Sequence, residues 1–337
     1  MPDIRPAAPP DIPAMSDLLL RAAHARAERQ PGLWRVVPDA DTTITATLLA
    51  ALQDKAPSFR QQWLVAETGG RIVGLTHSIL LPVPPIYAGR WGAPGLIMEN
   101  STIAPDAPRG LAQQLLKAAE DDLRAAGAQL LIGAAATGWP WAAEYAARGY
   151  APLTLYYARE GLAAEPTDAT VRQAAEGDLP GIVASSAQNR KILFDLDPFW
   201  EPHIEADPRF ESWMRRSLTL TDRDMFVSAP GGRISGYAIA QPATALHVPA
   251  GHAAGGLGFI DDYFHTDFAV QDGLENGAAG ATALLRAAEA ALAARDNSAA
   301  LVVCPAAWTA KRAHLQQAGY SAALSWHIKR PTPPPQA

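Results

Sequence analysis

The side chains placed to do chemistry fall into two sets that recur in the same order along the chain. The first begins with a carboxylate, Glu99, inside the apolar run Leu96 to Ile103. It continues with Arg109-Gly110-Leu111-Ala112, where a helical pattern opens. Gly110 and Ala112 leave room for close approach, and a helix start offers free backbone N–H groups at the positive end of its dipole. With Arg109 beside it, that combination suits a diphosphate. Tyr145 follows in Tyr145-Ala146-Ala147-Arg148-Gly149-Tyr150. The second set has the pair Asp261-Asp262, then His265, then the small-residue run Glu275 to Thr282. Its counterpart of Tyr145 is Leu315, which has no proton to give. Two adjacent carboxylates are suited to holding a cationic substrate or to acting as a base; the plainer reading is a solvated strand end.

Other chemistries find little support. The single cysteine, Cys304, has no partner for a disulfide and reads as a small core residue. The histidines, among them His77, His203, His247, His252 and His314, lack the spacing of metal ligands, so no metal is expected; His265 is the one placed to act as a base. A net charge of -6 with scattered Lys and Arg argues against a nucleic-acid partner. No apolar stretch reaches a membrane-spanning length and the N-terminus lacks a leader pattern, so the expectation is a soluble, cytoplasmic protein without a membrane partner. The segments Gly138-Trp139-Pro140-Trp141 and Phe199-Trp200 either pack or wall a substrate cleft.

Both sets belong to an internal repeat. Ile4 to Pro13 lies over Val171 to Pro180, Gly69-Gly70-Arg71-Ile72-Val73-Gly74 over Gly231-Gly232-Arg233-Ile234-Ser235-Gly236, Leu115 to Leu123 over Leu284 to Leu292, and Gly149-Tyr150 over Gly319-Tyr320. The offsets are 167, 162, 169 and 170 residues. Similar alanine-rich helices could produce the third match but not the collinear glycine hairpin. The repeat sets domains at 1–160 and 169–332, with a linker at 161–168. Each copy reads as a strand, a helix begun at Asp11-Ile12-Pro13 or Asp178-Leu179-Pro180, a variable helical region, and a hairpin turning on paired glycines. There follow a central strand (96–103; 259–264), a long helix (111–126; 279–295), an apolar strand (129–134; 299–304), a second helix (140–148; 307–318) and a last strand (153–158; 324–329). The fold class is α/β, in tandem, each copy a mixed and mostly antiparallel sheet flanked by helices.

This order, with Glu99-Asn100-Ser101-Thr102-Ile103-Ala104-Pro105 leading into Arg109-Gly110-Leu111-Ala112, resembles the GNAT superfamily of acyl-CoA N-acyltransferases, twice over. Ala107 stands where that family carries Gln or Arg. The resemblance implies that acetyl-CoA is the co-substrate, held by Ile103, Ala104, Arg109, Gly110, Leu111 and Ala112. It also implies an amide near Ile103 or Ala104 as oxyanion donor, Glu99 as base and Tyr145 as acid towards sulfur. The implied activity is N-acetyl transfer to a small-molecule amine in the N-terminal copy. The second copy, its loop lengthened by six residues between carboxylate and helix, would supply structure or part of the substrate cleft through Asp261 and Asp262. The variable segments 18–59 and 189–216 are expected to line that cleft, and the negative net charge favours a cationic acceptor. Alternatives are catalysis in the C-terminal copy, a non-catalytic acyl-CoA-binding or regulatory protein, and an interaction scaffold.

Overall fold

The computed structural model describes residues 2–54, 56–163, 168–244, 247–270 and 272–331; half of the expected linker, 164–167 with Pro166, lies outside them. The first copy comprises β1 (Asp3–Pro6), α1 (Ile12–Arg29), α2 (Ala40–Gln53), β2 (Gln61–Thr68), β3 (Arg71–Leu80), β4 (Gly95–Ile97), β5 (Thr102–Ile103), α3 (Leu111–Ala125), β6 (Leu131–Ala136), α4 (Trp141–Ala147) and β7 (Ala151–Glu160). The second comprises β8 (Val171–Gln173), α5 (Leu179–Leu196), α6 (Ala206–Ser217), β9 (Asp224–Ser228), β10 (Gly236–Pro242), β11 (Leu257–His265), α7 (Ala279–Ala294), β12 (Ala299–Pro305), α8 (Thr309–Gln317) and β13 (Ser321–Lys329). The expected central strand of the first copy is broken at Glu99-Asn100 into β4 and β5.

The two copies start with the same hydrogen bonds. Arg5 donates twice to Asp11, at 2.7 and 2.9 Å, and the Ala8 N–H donates to the same carboxylate at 2.8 Å. Arg172, Asp178 and Ala175 repeat this at 2.7, 2.8 and 2.8 Å. Each aspartate therefore closes the turn before its helix instead of capping the helix itself. Gly69 and Gly70 have φ of 58° and 77°, the left-handed pair a tight hairpin requires.

The strands form one sheet in the order β1-β2-β3-β4-β6-β13-β7-β12-β11-β10-β9-β8, with β5 on β3. The final strands have changed places: β13 of the second copy lies between β6 and β7, and β7 of the first copy pairs with β12. Sequence periodicity shows that a strand exists but not which neighbour it takes, so the exchange leaves no mark in it. Each exchanged strand carries a cation to a buried carboxylate of its host. Lys329 on β13 donates to Glu120 of α3 at 3.0 Å, and Arg159 on β7 donates to Glu289 of α7 at 2.6 Å. Loops cross as well: Val36 forms a bridge with His252, and Tyr87 with Pro202. In both cases the connection after β3, or its repeat after β10, reaches the segment after the first helix of the other copy.

The exchange makes the halves interdependent. Residues 1–165 and 166–337 expressed separately should aggregate, each lacking an interior strand, whereas co-expression should yield a soluble complex, measured by size-exclusion chromatography. Glu289→Ala should destabilise the whole chain by about 3–5 kcal/mol, because it leaves partly buried Arg159 and Arg286 without their carboxylate; denaturant unfolding reads this out.

Candidate active site

In the first copy the sheet splits where the chemistry-bearing residues lie. β4 runs parallel to β6 from Gly95/Leu131 to Ile97/Gly133, and β6 then continues to Ala136 with β13 alone. β5 stays with β3, Ile103 opposite Gly74. The Ala104 N–H donates to Val73 O at 2.8 Å. Antiparallel ladders alternate, so the Ile103 amide is turned away from β3 towards the split. Of the two oxyanion donors expected from the sequence, Ala104 is thus ruled out by its own ladder bond and Ile103 is suitably directed.

Glu99 sits in the turn between β4 and β5 and is 4% exposed. Its Oε1 is buried without a hydrogen-bond partner among the described residues. Burial pushes its pKa up to about 7, while its own backbone amide and the charge of Arg26 pull the other way. Arg26 is itself buried: it donates to the Glu99 carbonyl and lies 5.2 Å from the centre of the Trp139 ring. Tyr145 of α4 lies against β6, with its hydroxyl donating to Ala134 O at 3.3 Å. The contact requires Gly133, where a Cβ would fall 2.3 Å from the Tyr145 ring. Burial, and then the charge of Glu99, push ionisation of Tyr145 up, so it keeps its proton. A residue from the exchanged strand, His327, packs 5.9 Å from the Tyr145 ring. Only the strand exchange brings it there, and no local sequence signal marks it.

At the start of α3, Gly110 is the N-cap with φ 80°, and no side chain caps the helix. Nothing lies within 4 Å of the place a Cβ on Gly110 would occupy. The Leu111 N–H is spent on Pro108 O at 3.1 Å, so Leu111 is a core residue here, and the amides left for an anion are those of Ala112 and Gln113. Gln113 was missed by the motif, although third place in a helix would have marked its amide as free. Arg109 is exposed at the mouth. The open, uncapped helix start and the Ile103 amide together fit a nucleotide thioester.

The second copy has the same split but has filled it. β11 pairs with β12 only from Leu257/Ala299 to Ile260/Val302. Asp267 then folds back, and its carboxylate accepts the Ala281 N–H at 3.0 Å, supplying from within the anion that the α7 start would attract. Phe268, fully buried, packs between β11 and α8 against Tyr263, Trp308 and His314, and Trp308 Nε1 donates to its carbonyl at 2.9 Å. Its counterpart, Pro105, is exposed. His265 is not free to act as a base: Nδ1 accepts the Asp267 N–H at 3.1 Å and Nε2 meets the hydroxyls of Ser228 and Ser235 at 3.2 Å. Leu315 lies in the core, as does Cys304, whose thiol burial pushes up to about 12.

Asp261 and Asp262 lie on a bulge of β11, where Tyr237 and Ile239 of β10 pair with Phe264 and Asp261. Asp262 has φ 48°, an uncommon conformation for a residue with a side chain. Both face a cavity of ≈360 Å³ between the copies. Asn189, Leu193, Phe199 and Trp200 line it from the segment the sequence had indicated. The first copy contributes the strap after β3, residues 81–94, instead of the expected 18–59.

Because the folded chain holds the Glu99 proton more tightly than a free glutamate (4.5), folding is favoured at low pH, and that contribution is lost as pH rises through about 7. Glu99→Gln should therefore match the parent in stability near pH 4.5 and exceed it at pH 8 by about 3 kcal/mol at most. Thermal unfolding at the two pH values measures the difference.

The sequence matches no family model and no curated protein. Solved structures do match over the full chain. A tandem GNAT protein from the clavulanic acid biosynthesis pathway, without acetyl-CoA, aligns with a TM-score of 0.52 at 16% identity, covering 99% of this chain and 100% of that one. A GCN5-related N-acetyltransferase from Sphaerobacter thermophilus aligns with 0.56 at 15% identity, covering 100% and 98%. The glucosamine N-acetyltransferase region of a fungal multi-domain β-N-acetylglucosaminidase aligns with 0.55 at 13% identity, covering 98% of this chain and 38% of that one. The two copies, the split sheet and these alignments give the chain the tandem GNAT fold of GCN5-related N-acetyltransferases.

Proposed function

We propose that the protein is a GNAT-type N-acetyltransferase that transfers acetyl from acetyl-CoA to a small-molecule amine, with cofactor and chemistry in the N-terminal copy. The observation that carries this reading is the contrast between the two helix starts: α3 is open at Gly110, whereas Asp267 occupies the start of α7. Acetyl-CoA supplies an activated thioester. Ala112 and Gln113 offer amides to its diphosphate, with Arg109 as a mobile cation at the mouth. The Ile103 N–H is directed to receive the carbonyl oxygen as negative charge grows there, an effect usually worth about 10²–10³ in rate. Glu99, with an orphaned oxygen and a pKa of about 7, is suited to take a proton from the attacking amine near neutrality. Tyr145 remains protonated beside the split and can give a hydrogen bond to the departing sulfur.

Catalysis in the C-terminal copy is disfavoured by Asp267 and Phe268, which occupy the space the cofactor would need. Isothermal titration should find one acetyl-CoA site per chain, lost in Gly110→Glu and kept in Gly110→Ala. The alanine control carries the same left-handed backbone without the carboxylate; equal affinity for parent and Gly110→Glu sinks the assignment. With an amine that supports thiol release, Tyr145→Phe should lower kcat about 10–100-fold with acetyl-CoA affinity unchanged. The kcat/KM profile should rise through about pH 7, and Glu99→Gln should lose that limb.

A further inference from the structure

The cavity between the copies has the chemistry of a ligand site with no cofactor to serve it. Its walls are ring faces and edges from both copies: Tyr87 and Trp91 on the strap after β3, Tyr156 on β7, Trp200 after α5, Phe259 on β11 and Trp326 on β13. A volume of ≈360 Å³ is within the range of small-molecule pockets. Polar groups line it as well. Asn189 is 5% exposed with an unpartnered Oδ1, Thr154 is 1% exposed with an unpartnered Oγ1, and Trp200 Nε1 is buried without a partner. Each lines the cavity, and each costs free energy unless something within it completes the bond.

The two carboxylates complete the pattern. Asp261 accepts the Asp262 N–H at 2.9 Å and Gln241 at 3.4 Å, while the Asp262 carboxylate has no hydrogen bond among the described residues. Three cations come near, Lys311 from the lining of the cavity itself, but each is engaged elsewhere. Lys311 donates to Tyr263 O at 2.7 Å, Arg190 donates to Ser186 and Asp207, and Arg223 donates to Asp222 at 3.1 Å. None forms an ion pair with Asp261 or Asp262 among the described residues. Burial raises the pKa of both carboxylic acids, and the charge of Asp261 adds to the rise at Asp262. Partly buried carboxylates beside aromatic side chains are the complement of an organic cation.

We propose that this cavity binds a small apolar molecule carrying a protonated amine, its ammonium on Asp262, Asp261 and Asn189 and its body among Tyr87, Trp91, Trp200 and Phe259. The ligand is held but not acetylated there, because Phe268 and Asp267 fill the adjoining slot. The C-terminal copy is accordingly a binding module, and this inference stands apart from where the N-terminal copy does its chemistry.

Tryptophan fluorescence of the full chain, titrated with 2-phenylethylamine and with neutral 2-phenylethanol, tests the proposal, since Trp91, Trp200 and Trp326 line the cavity. The amine should give a saturable change and bind at least tenfold more tightly than the alcohol. Asp262→Asn, which keeps a side chain tolerant of positive φ, should weaken the amine at least tenfold with no loss of melting temperature and acetyl-CoA affinity unchanged. Trp200→Ala should weaken amine and alcohol alike. No saturation, equal binding of the two probes, or an Asp262→Asn variant that binds as the parent overturns the cation site. If the probe is acetylated in the presence of acetyl-CoA and Asp262→Asn abolishes that product, the non-reacting role is overturned while the cavity stands. Loss of acetyl-CoA binding in Gly110→Glu, by contrast, reports only on the N-terminal copy.

Discussion

The structure depends on two buried carboxylates, Glu120 and Glu289, and on the exchanged strands that neutralise them. Glu120 is 1% exposed and Glu289 3%. A carboxylate so far from water is tolerated only where several donors surround it. Burial opposes ionisation of Glu120, yet hydrogen bonds from Arg148 and Lys329 outweigh it and hold its pKa below the ordinary value. Arg148 belongs to the same copy, whereas Lys329 arrives on β13 from the other. Glu289 likewise receives Arg286 from its own helix, Arg159 from β7, and the Tyr320 hydroxyl at 2.7 Å. A strand returned to its own copy would remove its cation from the other half. The charge pairing thus adds to the ladder bonds in specifying which last strand goes where.

Within that shared frame the two copies have kept different features. The N-terminal copy keeps an uncapped helix start, an amide turned into the split, a buried carboxylate and a tyrosine. Leu33 and Trp34, from the segment after α1, belong to the central core, with Trp34 5.6 Å from His252 of the other copy. The C-terminal copy keeps the cavity and the bulged carboxylates and has closed the slot with its own residues. The asymmetry follows from what lies after each central strand: a short Pro-rich loop ending in Gly110, or a turn that places Asp267 and Phe268 where a ligand would enter.

Much of this was legible in the sequence because it is local. The duplication, the glycine hairpin, the long helices and the place of Glu99, Gly110 and Tyr145 all follow from residue types at fixed spacing, and the helix bounds agree to within two residues at most ends. What escaped was pairing across distance. Nothing in Ser321 to Lys329 declares that its neighbours are β6 and β7, since alternating burial is the same beside any strand. The cavity escaped for the same reason, being walled by Trp91 and Tyr156 of one copy and Trp200 and Phe259 of the other. For Ala104 and Leu111 the pattern names positions but not the direction of their amides, both of which are hydrogen-bonded within the chain. Only the alternation of the β3–β5 ladder and the bond to Pro108 decide those.

The exchange also makes the second copy indispensable to the first. In a chain of independent domains each copy maintains only its own core, so either could be lost without unfolding the other. Here removal of the second copy would take β13 from between β6 and β7, Lys329 from Glu120 and His327 from beside Tyr145. The N-terminal site would lose the strand that backs β6 at the split, and β7 would be left with both edges bare. Structural need therefore preserves the second copy whatever its cavity holds. The positive φ of Asp262 and the orphaned Asn189 oppose folding and do nothing for the exchange, so structural need alone does not account for them. Such strain and unsatisfied polarity, retained in a copy otherwise packed shut, are the marks of a site.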